Sequence, residues 1–332
     1  MAMTKNPVTA NSGIDESQSS GQAPGTAGPA MGPLTPRKVP TWLRIVPFFI
    51  SAVFFLSGVF AVFAPVPLLF LNLRNGRGWG LAAVITNGLL VFAAGGVVSL
   101  CAYAVFVAIL ALSLAEFLRA KNSVEASAGM TLLSMLLVAS LMVAWFSHIH
   151  QVNPWTTLRE HVSSMVDYLS HNVPEGTFND ATEVDDWKQS VLVEFPSAIA
   201  VFALVMVWVS LISALRGNPG GLREKLGIDI SFFKKWRSPS WLVWPTILAG
   251  FFLIVDAGKV SDVSLNVFKF LMAIYTIHGL SCLSFFFDLW NVRGFFRAVG
   301  FLISIFVMMP LLLSLGFFDL WFDFRAKFGQ ST

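Results

Sequence analysis

The chain is short of charge. Lys, Arg, Asp and Glu make up 12% of its 332 residues, about half the roughly 25% of a soluble domain. That shortfall, together with several apolar runs long enough to cross a bilayer, excludes a soluble globular protein and calls for a polytopic membrane protein. Cysteine is scarce as well. Cys101 and Cys282, the two present, lie inside apolar runs, where free cysteine behaves as a small core residue rather than half of a disulfide or a metal ligand. A net charge of +3 is too small a bias to suggest nucleic acid. No apolar segment follows a short basic start, so no secretory signal is expected. The stretch GNPGGLREKLG (217–227) lacks the G-x-x-x-x-G-K-[ST] order that cradles phosphates. With no Ser-His-Asp order, zinc motif or glycine-rich cofactor loop, the expectation is no enzyme, no cofactor and no metal.

What is present is apolar: 55% of the residues are hydrophobic and the mean hydropathy is +0.70. Residues 1–40 stand apart. Their first 36 are rich in Gly, Ala, Pro, Ser and Thr and contain no aromatic residue, so they bury too little to offset their ordering entropy and read as a disordered tail. Residues 41–328 read as the transmembrane domain, with spans near 79–95, 97–118, 130–149, 191–215, 241–257, 264–288 and 295–317. Gly95-Gly96 separates the first two with almost no loop.

Cations in short loops set the orientation. The basic loop 216–240, with Arg216, Arg223, Lys225, Lys234, Lys235 and Arg237, is expected in the cytoplasm, as are Arg119 and Lys121. Residues 151–190 are acidic and poor in cations, which suits the outside. Their apolar residues recur at helical spacing from Pro154 and again from Thr182 around a VPEGTFND turn, predicting an amphipathic helical hairpin at the outer surface.

Counting back places Arg74 and Arg77 inside, on the same side as Arg37, Lys38 and Arg44. The apolar run between them contains Pro65 and Pro67. It is too short for two full spans and too long for one upright one. The expected solution is a helix from about 43 to 63, a Pro-Val-Pro corner and a short or extended return. The alternative is one long tilted helix with an external N-terminus. The fold class expected is therefore all-α, a bundle of about eight spans with a proline-broken first span and an external hairpin. By parity, Asp319, Asp323 and Arg325 form a charged cap at the outer edge.

Polar groups inside apolar runs are the candidates for function. Asn72, Asn87, Tyr103 and His278 are the expected ligand-binding set, lining a cavity; each is equally able to bond a neighbouring helix. Lys234, Lys235 and Arg237 are the expected contacts to a cytoplasmic partner or anionic lipid. His148, His150, His161 and His171 read as interfacial or solvated rather than as a metal site.

The order of several weak motifs adds a resemblance. The Pro-x-Pro turn followed by Arg-x-Gly and an apolar span, RSPSWLVWP (237–245), YTIHGLSCLSFFFDLWNVRG (275–294) and LGFFDLWFDFR (315–325) together resemble the YybS-like family of uncharacterised bacterial membrane proteins over residues 40–328. That family is similar in layout to the S components of energy-coupling-factor transporters. The resemblance implies a small-solute-binding membrane fold without an assigned substrate; the location expected is the bacterial inner membrane, with the N-terminus placed in the cytoplasm by the cations. A small solute and the lipid bilayer are its implied partners. The competing readings are a non-catalytic scaffold engaging a membrane or cytoplasmic protein, and a membrane enzyme acting on lipid.

Overall fold

Long apolar runs leave the backbone no partner but itself, and helix is the result. The computed structural model describes residues 47–171, 181–229, 231–255 and 258–329, and the secondary structure among them is helical. The expected disordered tail, Arg37, Lys38, Arg44 and the 173–180 turn lie outside the described residues. Among the described residues, four helices are long and apolar enough to cross a membrane, or five if one bent pair counts as a single span. Their surfaces carry large exposed apolar side chains. Val98 is 80% exposed and Trp145 70%, as suits faces turned to lipid.

The first apolar run is broken as expected, but elsewhere. Helix α1 (Pro47–Leu56) ends before Ser57 rather than near residue 63. Gly58 takes φ 68°, a left-handed conformation open to glycine. A 3₁₀ turn at Ala61–Phe63 follows. Pro65 and Pro67 then open a second helix, α2 (Pro65–Asn75), so the return is helical and not extended. Proline's fixed φ suits the first turn of a helix. The two helices are ~15 and ~16 Å long at 1.5 Å per residue, each about half a bilayer. Phe48, early in α1, packs edge-on against Trp79, and Arg119 on the same side bonds Asn72 near the end of α2. The two helices double back on each other.

Helix α3 (Arg77–Tyr103) continues through a π-helical stretch, Ala104–Ile109, into α4 (Leu110–Arg119). It is not one rod. Gly96 has φ 70° and ψ −165°, and a Cβ on Gly88 would lie 3.5 Å from Leu100 Cδ1. Residues 88 and 100 of an unbroken helix would be ~18 Å apart. The chain doubles back at Gly96, and the short joint expected at Gly95-Gly96 is a hinge of one residue.

Helix α5 (Val124–His150) starts at a Ser123 cap that accepts from the Ala126 N–H. Helix α6 (Pro154–His171) starts at Asn153, whose side-chain oxygen accepts from the Trp155 N–H. Helix α7 (Ala181–Gly217) packs on α6 through Val162, Val166 and Leu192, and Lys188 pairs with Asp167 at 2.7 Å. Two short helices, α8 (Leu222–Leu226) and α9 (Phe232–Lys235), occupy the basic loop. Then come α10 (Val243–Val255), α11 (Lys259–Leu289), α12 (Gly294–Phe306), α13 (Met309–Phe322) and α14 (Phe324–Gly329).

Contacts gather the cations at one end. Arg77 and Arg119 meet at Glu116. A Cβ on Gly220 would lie 2.9 Å from the Leu73 carbonyl oxygen. The Trp236 indole N–H donates to Glu125 at 3.1 Å, and Lys234 pairs with Asp288 at 2.6 Å. Arg159, Lys188, Lys259 and Lys269 lie toward the opposite end.

One sequence expectation is overturned here. The apolar window 295–317 is two helices, α12 and α13, bent by 93° at Val307–Met308. The turn carries the chain back, so Asp319, Asp323 and Arg325 pack against the basic loop: Arg325 donates to the carbonyls of Lys234 and Trp236, and Arg237 pairs with Asp323. They form no cap at the far end.

Candidate functional site

Two places bring ionisable groups into the apolar domain. The first is where α13 crosses α11. Gly279 and Gly316 allow it: a methyl on Gly279 would overlap the Leu312 carbonyl oxygen, and one on Gly316 that of Tyr275. This close approach sets His278, Asp319 and Arg325 side by side, the first two fully buried and Arg325 8% exposed. Arg325 Nη2 lies 2.8 Å from Asp319 Oδ2 and 3.0 Å from His278 Nε2. On the other side of the ring, His278 Nδ1 lies 3.1 Å from Ser238 Oγ. His278 Nε2 also lies 3.2 Å from Asp319 Oδ2, so the imidazole, the carboxylate and the guanidinium meet at one point. Ser281 donates to the Trp236 carbonyl at 3.0 Å.

Ligand atoms of His278, Cys282 and Asp319 lie within 4.8 Å of one another. They do not fit a cation, because Arg325 already holds both Asp319 Oδ2 and His278 Nε2 with a fixed positive charge. The network joins α11, α13, α14 and the basic loop. Arg237 extends it to Asp323 beyond the membrane-spanning helices, and holds that carboxyl below the usual carboxylate range.

The second place is a groove between α7 and α11, with a cavity volume of about 570 Å³. Its walls are Ala198, Val201, Phe202 and Val205 on one side of Glu194 and Lys269, with Val191 one helical turn beyond them. Those two pair at 2.6 Å, with side chains 45% and 37% exposed. The local build follows from Pro196 inside α7, which lacks an N–H and opens the helix turn. Asn266 of α11 fills the opening: its Oδ1 accepts from Ser197 N at 2.7 Å and its Nδ2 donates to the Val193 carbonyl at 2.8 Å. Ser197 Oγ donates to the Glu194 carbonyl at 2.7 Å. One amide thus fixes α7 to α11 beside the ion pair.

The residues singled out in the sequence do not form one cavity. Asn72 accepts from Arg119 at 2.6 Å. Asn87 accepts from the Ala52 N–H and donates to the Ala83 carbonyl, both at 2.8 Å. Tyr103 lies 3.5 Å from Ser51, which donates to Ala64. These three join α1 and α2 to α3 and α4, whereas His278 belongs to the crossing of α11 and α13. Of the expected partner contacts, Lys234 and Arg237 are paired with Asp288 and Asp323, and Lys235 is exposed. Glu194, Lys269 and Asn266 were missed, although a charge or amide inside an apolar run was the available signal.

A family model described as "Predicted membrane protein (DUF2232)" matches residues 43–320. No curated protein and no solved structure matches the chain.

Proposed function

The chain belongs to the DUF2232 family of predicted membrane proteins, and from that premise we propose that it is a non-catalytic solute-binding component of transport type in the bacterial cytoplasmic membrane. Its ligand lies in the groove between α7 and α11. The groove carries this reading: an open, apolar concavity with one charged pair near one end has the form and size of small-molecule sites, ~300–1,000 Å³. On the positive-inside rule the basic end faces the cytoplasm and α6 the exterior. The half-length pairs α1–α2 and α12–α13 both start at the basic end and return to it, which brings the passages across or into the membrane to about eight and keeps the general layout of a transporter S component.

The test is native mass spectrometry of the full chain extracted gently from its own membrane, beside Ala198→Trp, which fills the groove from its exposed wall. One reproducible adduct, lost in Ala198→Trp and kept in Asn87→Ala, is expected. An adduct that survives the tryptophan, or none on the unaltered chain, refutes the reading. A scaffold role draws on the concentration of cations at the basic end. The internal pairing of Lys234 and Arg237 leaves it the weaker account.

A further inference from the structure

The groove's position in the bilayer and its charged end identify what it holds. Glu194 lies 23 residues before Gly217 at the basic end of α7, and Lys269 lies 20 before Leu289 at the basic end of α11. At 1.5 Å per residue these are ~35 and ~30 Å from that end, the full thickness of the hydrocarbon core. The ion pair therefore sits at the headgroup level of the leaflet opposite the basic end. From there the wall runs down α7 through Ala198, Val201 and Phe202 to Val205, ~16 Å deeper by the same rise. Charged groups at the interface with an apolar wall below them suit an amphiphilic ligand, and a membrane lipid is the amphiphile at hand there.

The charges narrow the choice. Lys269 and Glu194 are 2.6 Å apart and both remain more than a third exposed, so a ligand can enter the pair without leaving either charge buried. A phosphate oxygen placed on Lys269 Nζ puts the rest of the headgroup at the Glu194 carboxylate. An ammonium there is attracted, whereas a purely anionic headgroup meets a like charge. Ser197 bonds the Glu194 carbonyl and Asn266 that of Val193 beside it, so the backbone that carries the carboxylate is held next to Lys269. Resting on the groove reading above, we propose that the ligand is a zwitterionic phospholipid of the leaflet opposite the basic end, its phosphate on Lys269, its ammonium on Glu194 and an acyl chain along Ala198–Val205.

The experiment takes the full chain, delipidated in mild detergent, and titrates it separately with dioleoyl phosphatidylethanolamine and dioleoyl phosphatidylglycerol, counting bound lipid by native mass spectrometry. The unaltered chain is expected to hold one phosphatidylethanolamine and to prefer it by about tenfold. Glu194→Gln should abolish or invert that preference. Lys269→Gln should weaken both lipids, and Lys269→Arg should restore them. Equal binding of the two lipids by the unaltered chain, with both lost in Ala198→Trp, overturns the headgroup assignment and leaves the groove as a binding site. Binding of neither lipid overturns the assignment, and an adduct of other chemistry in the native extract would show that only this step had failed.

Discussion

Replacing Arg325 by methionine tests whether the charges at the α11–α13 crossing depend on one another. Asp319 is fully buried, its Oδ2 is held by Arg325 at 2.8 Å, and its Oδ1 has no hydrogen-bond partner among the described residues. Arg325→Met leaves that carboxylate in the apolar interior with no cation, strips the Lys234 carbonyl of the donor Arg325 gives it and leaves the Trp236 carbonyl to Ser281 alone. Breaking a buried pair in this way costs ~3–5 kcal/mol, whereas replacing both partners by apolar residues is often close to neutral. The double variant Asp319→Leu/Arg325→Met should therefore be more stable than Arg325→Met alone, by ~2 kcal/mol or more, because the lost carbonyl contacts are common to both. Equilibrium unfolding of the full chain in mixed detergent gives the coupling. Maleimide labelling supplies a local probe, because Cys282 is buried beside the network and Cys101 is partly exposed. Arg325→Met should speed labelling of Cys282 relative to Cys101, and the double variant should slow it again. If the two substitutions add, or if Arg325→Met costs less than ~1 kcal/mol, the carboxylate does not rely on this guanidinium and the reasoning fails.

Gly316→Ala should destabilise by more than Gly300→Ala, at the upper part of the ~1–3 kcal/mol range for overpacking: its methyl meets the backbone of Tyr275 and Gly279, whereas that of Gly300 meets the side chain of Phe287, which can turn aside. Equal losses in thermal unfolding would mean that the helices at the crossing can separate freely. Asn266→Leu should cost ~1 kcal/mol, the scale of two hydrogen bonds between membrane helices, and less in a Pro196→Ala background, where the restored N–H lets α7 close its own turn. A loss that is the same in both backgrounds would sever the link between Pro196 and Asn266.

How far the fold can be read from the sequence depends on where each instruction lies. The Gly95-Gly96 hinge and the Asn153-Pro154 helix start are local chemistry, and both are visible in a few adjacent residues. The bend at Val307–Met308 is not. Its window is uniformly apolar, and Pro310 falls in the first turn of α13, a position that looks the same in a helix start as in a tolerated interior proline. The parity count that followed went wrong for that reason alone. His278 could be singled out as an ionisable group among apolar neighbours, but its partners lie 41 and 47 residues away and meet it only because Gly279 and Gly316 let two backbones touch. Glu194 and Asn266 are likewise separated by most of α7, the basic loop and α10. A lone charge in an apolar run signals that a partner exists, and tertiary packing alone says which.

The joint between α1 and α2 shows how an apolar chain reverses on itself. Irregular backbone in apolar surroundings needs cover from protein or water, yet Val59 at the joint is 82% exposed. The backbone supplies its own cover. Ser57, Gly58, Val59 and Ala61 donate to the carbonyls of Val53, Phe55, Ser57 and Gly58, and Phe63 and Ala64 donate to those of Phe60 and Ala61. The Phe60 N–H goes to Ser57 Oγ, which itself donates to the Phe54 carbonyl. The first turn of the returning helix, where N–H groups have no partner further back, contains Pro65 and Pro67, which have no N–H to satisfy. What remains to face the lipid is mostly side chain, and those side chains are apolar: Val59, Phe60 and Phe63 are all exposed. The prolines that seem to interrupt the apolar run are therefore part of what lets the chain reverse there without water.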